Sequence, residues 1–258
     1  MWKVLFITAA LLLATPAWAN SASEARALIT SGDYESARIV AQTLETAEGY
    51  ALAAESLSAQ ILLGEVRKLN KHSKQARELS EKALELDPAL YDARLQYTLS
   101  DGFVTRTSGD LTAWRKKLPT KTLAKIQDFR AAYPDDAKGL ALEGAWHLGV
   151  IRKTGEKNGG KWFGASLSEG QRLYAEARAK APNDVLIDTN YALSLLVLDR
   201  EAYAPQTRQL LEAVAVMPAK DDLYRKVQSK AAMILAASDD LKTMEKMAER
   251  FLDGEPLE

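Results

Sequence analysis

The sequence predicts an all-α fold, and three observations carry that prediction. Ala and Leu are abundant, Gly (14) and Pro (8) are sparse among 258 residues, and no long stretch alternates apolar with polar side chains as a half-buried strand would. Prolines stand where helical patterns stop, at 88, 134, 182 and 218, so the intervals are 46, 48 and 36 residues. Each lacks the amide proton a continuing helix would use and biases the residue before it away from helical angles. Ahead of the prolines lie amphipathic stretches such as Ala76, Leu79, Ala83 and Leu86, or Leu123, Ile126, Phe129 and Tyr133. Their spacings of three and four make one apolar stripe, so each helix needs a neighbour on one face.

The first residues, MWKVLFITAALLLATPAWAN, hold one cation (Lys3), an apolar run from Val4 to Ala14, Pro16, and small residues at Ala17 and Ala19. This is the pattern of a secretory signal over residues 1–19, cleaved after Ala19. Its apolar run is too short to span a bilayer. The expected mature chain therefore begins at Asn20, is periplasmic or secreted, and has no membrane span. Cysteine is absent from the whole chain. A lipid-anchoring cysteine at the cleavage point, disulfides, thiolate metal sites and cysteine nucleophiles are all excluded, and stability must come from packing.

Loss of the leader removes one of 34 Lys and Arg and none of 35 Asp and Glu, which leaves a net charge of −2. That balance argues against nucleic acid as a partner, because a nucleic-acid binder needs a strongly basic face to replace phosphate counterions.

Within the helical region the small residues recur in register. Gly64, Ala76, Ala83 and Pro88 are separated by 12, 7 and 5, with Leu63 ahead of the glycine. Gly170, Tyr174, Ala177 and Pro182 repeat the later half, and GDYESA (32–37) places Tyr34 and Ala37 just after a turn. In these positions the sequence resembles the tetratricopeptide repeat (TPR) family, whose unit is two antiparallel helices in about 34 residues. The resemblance implies five or six helix pairs over about 21–253, some 10 to 12 helices, stacked as a right-handed superhelix. It also implies one domain, 20–253, followed by a short tail at 254–258. Small side chains at the crossings let two helix axes come within packing distance.

Against that unit two repeats are too long. Arg106 and Arg152 stand eighteen residues after Pro88 and Pro134, at equivalent points near the end of a first helix. The additions that follow, near 101–117 and 152–166, contain Trp114, Arg115, Lys116 and Lys117 in one and Lys157, Lys161, Trp162 and Phe163 in the other. Insertions at equivalent points of successive repeats emerge on the same edge of a stack, so the two should be neighbours in space. Together they would form a basic patch with two flat apolar anchors.

The second insertion, GEKNGGKW (155–162), has the glycine and lysine spacing of a phosphate loop, with Trp162 where the metal-binding hydroxyl should be. A phosphate loop joins a strand to a helix. Here a helix precedes it, so the segment reads as the turn of an enlarged helix pair. Glu143 and His147, four apart in LEGAWHLG, share a helical face; a partly buried His bonded to Glu143 or to a carbonyl is the favoured reading, and a metal or acid–base pair the alternative. The only other histidine, His72, has no ligand spacing near it. The acid pairs Asp135–Asp136, Asp221–Asp222 and Asp239–Asp240 stand near helix starts, where carboxylates cap amides and match the helix dipole. Met244 and Met247 share a face with Leu241, Ala248 and Phe251 and read as core.

These readings assign no catalytic residue, no metal and no cofactor. The expected function is that of an exported TPR-like scaffold that binds a protein or peptide partner, acidic in character, without catalysis. Its binding residues would be Arg106, Trp114, Arg115, Lys116, His147, Arg152, Lys161 and Trp162. The alternative is a small-ligand receptor, such as a periplasmic transport accessory, or an enzyme, with a pocket between the repeats.

Overall fold

A computed structural model describes the backbone of residues 17–257 and the side chains of residues 22–257. Residues 1–16 of the expected leader lie outside the described residues. Among the described residues every regular element is a helix, and there are fourteen. Twelve of them pack as six successive pairs. These are α1 (Ala17–Ser31) with α2 (Tyr34–Gln42), α3 (Ala47–Leu62) with α4 (Leu69–Leu86), and α5 (Tyr91–Thr107) with α7 (Leu118–Ala132). The second three are α8 (Ala137–Thr154) with α10 (Leu167–Lys180), α11 (Val185–Leu196) with α12 (Arg200–Ala215), and α13 (Asp222–Ala236) with α14 (Leu241–Asp253). The remaining two are short, α6 (Asp110–Arg115) and α9 (Glu156–Phe163), and they exceed the expected 10 to 12 because both insertions fold into helix. In the first of them α5 also continues to Thr107, so the added residues lengthen a helix before they build a new one.

Local chemistry explains where the helices start. Asp136, Asp221 and Asp240 each accept backbone amides at the first turn of α8, α13 and α14, and Asp33, Asp184 and Asp199 do the same for α2, α11 and α12. Each bond satisfies a donor that has no partner inside the helix. Helices stop before the prolines: α4, α7, α10 and α12 end at Leu86, Ala132, Lys180 and Ala215. Pro119 opens α7, where its missing donor costs nothing.

Packing follows the small residues. Ala37, Ala76, Ala83 and Ala177 are all fully buried. A Cβ on Gly170 of α10 would lie 2.7 Å from Leu148 Cδ2, and one on Gly144 of α8 would lie 2.8 Å from Tyr174 Cδ2, so these two helices touch where a side chain is missing. At the centre lies α11, buried along its length; its apolar residues are interrupted by Asp188, Thr189 and Ser194, which are buried as well, with Asp188 paired to Arg178.

The two ends of the array meet. Helix α13 packs on α1, and Lys226 Nζ stands 3.0 Å from Glu65 Oε1. Residues 254–257, in the expected short tail, turn back over the α3–α4 connection, where Leu257 is buried. Gly64 and Gly254 have φ of +65° and +75°, and a Cβ on Gly64 would meet the Glu255 carbonyl at 2.6 Å. Both positive φ and close backbone approach demand glycine there. This closure brings the end of α14 against α5 and α8.

Candidate functional site

Helices α5, α8, α11 and α14 line a partly open cavity of about 490 Å³, with α6 and α9 at its rim. Its walls are mostly apolar. Phe103 enters from α5, Ile126 from α7, Trp146 and Leu148 from α8, Val197 from just beyond α11 and Phe251 from α14. Its volume falls within the range of small-molecule sites, and an apolar enclosure with a few placed polar groups is their usual form.

The wall helices are braced from behind. Asp101 of α5 is buried and accepts from Thr122 (2.6 Å) and Lys125 of α7, while Arg77 of α4 approaches it at 3.8 Å. Thr105 and Thr122 share a hydrogen bond of 2.8 Å, and Trp146 donates its indole N–H to the Pro119 carbonyl at 2.9 Å. Asn190 accepts from the Tyr174 hydroxyl at 2.6 Å. The wall's uncharged polar groups thus already have partners.

Its charged groups are less evenly matched. Arg106 and Arg152, in the last turns of α5 and α8, both reach the end of α14. Arg152 pairs with Asp253, which Lys153 also approaches at 3.9 Å. Arg106 donates to the Leu252 carbonyl and lies 5.1 Å from the centre of the Phe103 ring. Its Nε is buried without a partner. Burial pushes this guanidinium down to about 10; Asp253 works against the fall and the neighbouring Arg152 adds to it.

At the rim, Trp114 of α6 meets Trp162 of α9 edge to face at 5.1 Å, and Phe163 at 5.8 Å. The two insertions are therefore neighbours. Trp114 and Trp162 remain 52% and 49% exposed, and Leu111 is more exposed still. Gly155, at φ +74°, is both the end of α8 and the cap of α9, and Gly164 at +76° ends α9. GEKNGGKW is thus a glycine-hinged helix following a helix.

Of the residues singled out from sequence, Arg106, Arg152, Trp114 and Trp162 line one cavity. Arg115, Lys116 and Lys161 are exposed on α6, its end and α9, outside the lining. His147 is buried elsewhere, edge to face with Trp146 at 5.0 Å, and its Nδ1 accepts the Ser166 amide at 3.1 Å. Glu143 is engaged by Arg130, with Gln127 at 3.5 Å. The pair is occupied in bracing α8 to α7 and to the start of α10. Among the described residues no cluster of three or more His, Asp or Glu side chains is placed to hold a metal ion, and no helix is long and apolar enough to cross a membrane.

No protein-family model matches this chain, and no curated protein matches it either. The site must be read from its own geometry.

Sequence reading missed Phe103, Trp146, Leu252 and Asp253 as site residues. Trp146 had a visible signal, an aromatic beside His147 in LEGAWHLG. Asp253 had none, since its place depends on a contact 101 residues away in sequence.

His147 supplies a pH prediction. Burial holds its pKa below the ordinary value, and the bond from the Ser166 amide requires an unprotonated Nδ1. Below the ordinary histidine pKa the unfolded chain binds a proton that the folded chain resists, so stability should fall as the pH drops from 7.5 toward 5.5. His147→Asn, whose amide oxygen can take the Nδ1 role, should flatten that slope in urea melts at the two pH values. An unchanged slope would remove His147 as its source.

Proposed function

We propose that this chain is an exported, non-catalytic receptor that holds a small, largely apolar molecule inside a TPR-like helical array. The cavity among α5, α8, α11 and α14 carries this reading, because a mostly apolar hollow of that size between helices suits a small molecule with an apolar body. The period and small-residue register support stacking as a right-handed superhelix, with its ends drawn together by the α1–α13 contact. The leader supports export.

A specific observation favours a second role for a protein partner. The exposed Leu111, Trp114 and Trp162 lie together on the two insertion helices, so a docking protein would meet the rim and read whether the cavity is filled.

The test is a melting screen of the protein purified from an exported fraction, whose mass should correspond to a chain starting at Asn20. A ligand present at about 100 times its Kd should raise Tm by on the order of 5 °C. Failure of every small apolar compound to shift Tm would overturn the receptor reading, and a purified chain still starting at Met1 would overturn export.

A further inference from the structure

We infer that the molecule held in this cavity is a monocarboxylate with an apolar body, its head group against Arg106 and Arg152 and its hydrocarbon against Phe103, Ile126 and Trp146. The inference rests on the receptor reading and adds a charge to it.

Charge counting leads to the head group. The cavity and its rim present Arg106, Arg152, Lys153 and Asp110, and Asp253 stands behind the arginines. Three cations thus face two carboxylates. The surplus is located at Arg106, because Asp253 is engaged by Arg152 and Lys153. Among the described residues no carboxylate lies within ion-pair distance of Arg106, whose partner is a neutral carbonyl. Arg77 also has a buried Nε but has Glu81 at 3.4 Å and Asp101 at 3.8 Å, whereas Arg208 and Arg250 share both the buried Nε and, among the described residues, the lack of an ion pair; Arg106 differs from those two in lining the cavity. Arg106 is partly buried, with its Nε shut away from solvent; a cation so placed without a counterion carries a desolvation cost that a ligand bringing one negative charge reduces.

The size of the surplus chooses among anions. One excess positive charge is balanced by a carboxylate, whereas a phosphate monoester near its second ionisation would leave the cavity negative. A guanidinium offers parallel N–H donors that fit a carboxylate in bidentate fashion. The rest of the wall asks for hydrocarbon: Phe103, Ile126 and Trp146 have no free polar group to offer, since the Trp146 N–H is held by Pro119. The competing account is that Arg106 exists only to cap the α14 carbonyls.

The experiment titrates hexanoate, octanoate, octanol, octylamine and octyl phosphate into the purified protein, followed by calorimetry and tryptophan fluorescence. Octanoate should bind at least tenfold more tightly than octanol, with octylamine weaker still and octyl phosphate no tighter than octanoate. Each methylene between hexanoate and octanoate should add about fourfold in affinity. Arg106→Met should remove the preference for octanoate over octanol, and Arg106→Lys should retain most of it, with melting curves reporting whether each variant folds. Should Arg106→Met fail to fold, Arg152→Met and the head-group series on the unaltered protein decide the matter. Equal binding of octanol and octanoate overturns the carboxylate inference and leaves the receptor reading standing. Tighter binding of octyl phosphate overturns the choice of anion, and no binding by any compound in the series overturns both readings.

Discussion

Tyr174→Ala should cost about 3 to 5 kcal/mol, the loss expected when a large aromatic is deleted from a packed core. Tyr174 is 1% exposed, stacks on Tyr191 at 4.7 Å between ring centres, and fills the gap that Gly144 leaves in α8. Its hydroxyl donates to Asn190 at 2.6 Å, which ties α10 to α11 beside the cavity. Tyr174→Phe separates the two contributions. It keeps the ring and leaves Asn190 Oδ1 with Ser194 at 3.5 Å, so it should cost only about 1 kcal/mol. Urea melts of the two variants measure this directly. A loss under about 1 kcal/mol for Tyr174→Ala would mean that α8 and α10 can close over the space, and would count against the tight crossing at Gly144 and Gly170.

That crossing was legible in the sequence because it depends on local spacing. Gly170, Tyr174 and Ala177 recur at intervals that put two small residues and one large ring on the same helical face, and a helix with that face requires a close neighbour. The prolines and capping aspartates were legible for the same reason, since each acts within a turn of its own position. Met244 is likewise fully buried, where its helical stripe with Ala248 and Phe251 placed it. Gly64 shows how a correct residue can carry an incomplete reason. Its spacing placed it late in the first helix of a pair, whereas it lies just past the end of α3, where its positive φ and the Glu255 backbone lying against it belong to the closure of the two ends.

The site was legible only in part, and the division follows the same physics. Arg106 and Arg152 were found because each stands eighteen residues after a proline, near the end of the first helix of a pair. Trp114 and Trp162 were found because insertions at equivalent points share an edge. Nothing local announces that α14 returns to both arginines, since those contacts span 146 and 101 residues. Nor does the sequence distinguish Arg106, beside a carbonyl in an apolar wall, from Arg115 or Lys116 in water. All lie in the same basic stretch, and their difference arises from the length of α5, which carries Arg106 inward before α6 turns away.

The rim tryptophans provide the largest expected effect on binding. Trp114 and Trp162 stand half exposed at the cavity entrance, where Trp114 meets both Trp162 and Phe163 edge to face. An edge-to-face pair contributes about 0.5–1.5 kcal/mol beyond its buried area, and about half of each ring is buried, so Trp114→Ala and Trp162→Ala should each lower stability by about 2 to 4 kcal/mol. Affinity for an apolar-bodied ligand should also fall, by about tenfold or more, because each ring contributes wall area that the ligand covers on entry. The two losses should not add in the double variant, since either deletion already breaks the pair that closes the rim. Stability from urea melts and ligand affinity from calorimetry, measured on the same preparations, separate the possibilities. A loss of several kcal/mol in stability with unchanged affinity per folded molecule would show that the tryptophans only hold α6 to α9. Affinity lost per folded molecule would place them in the binding site, where their exposure has a use that packing alone does not give it.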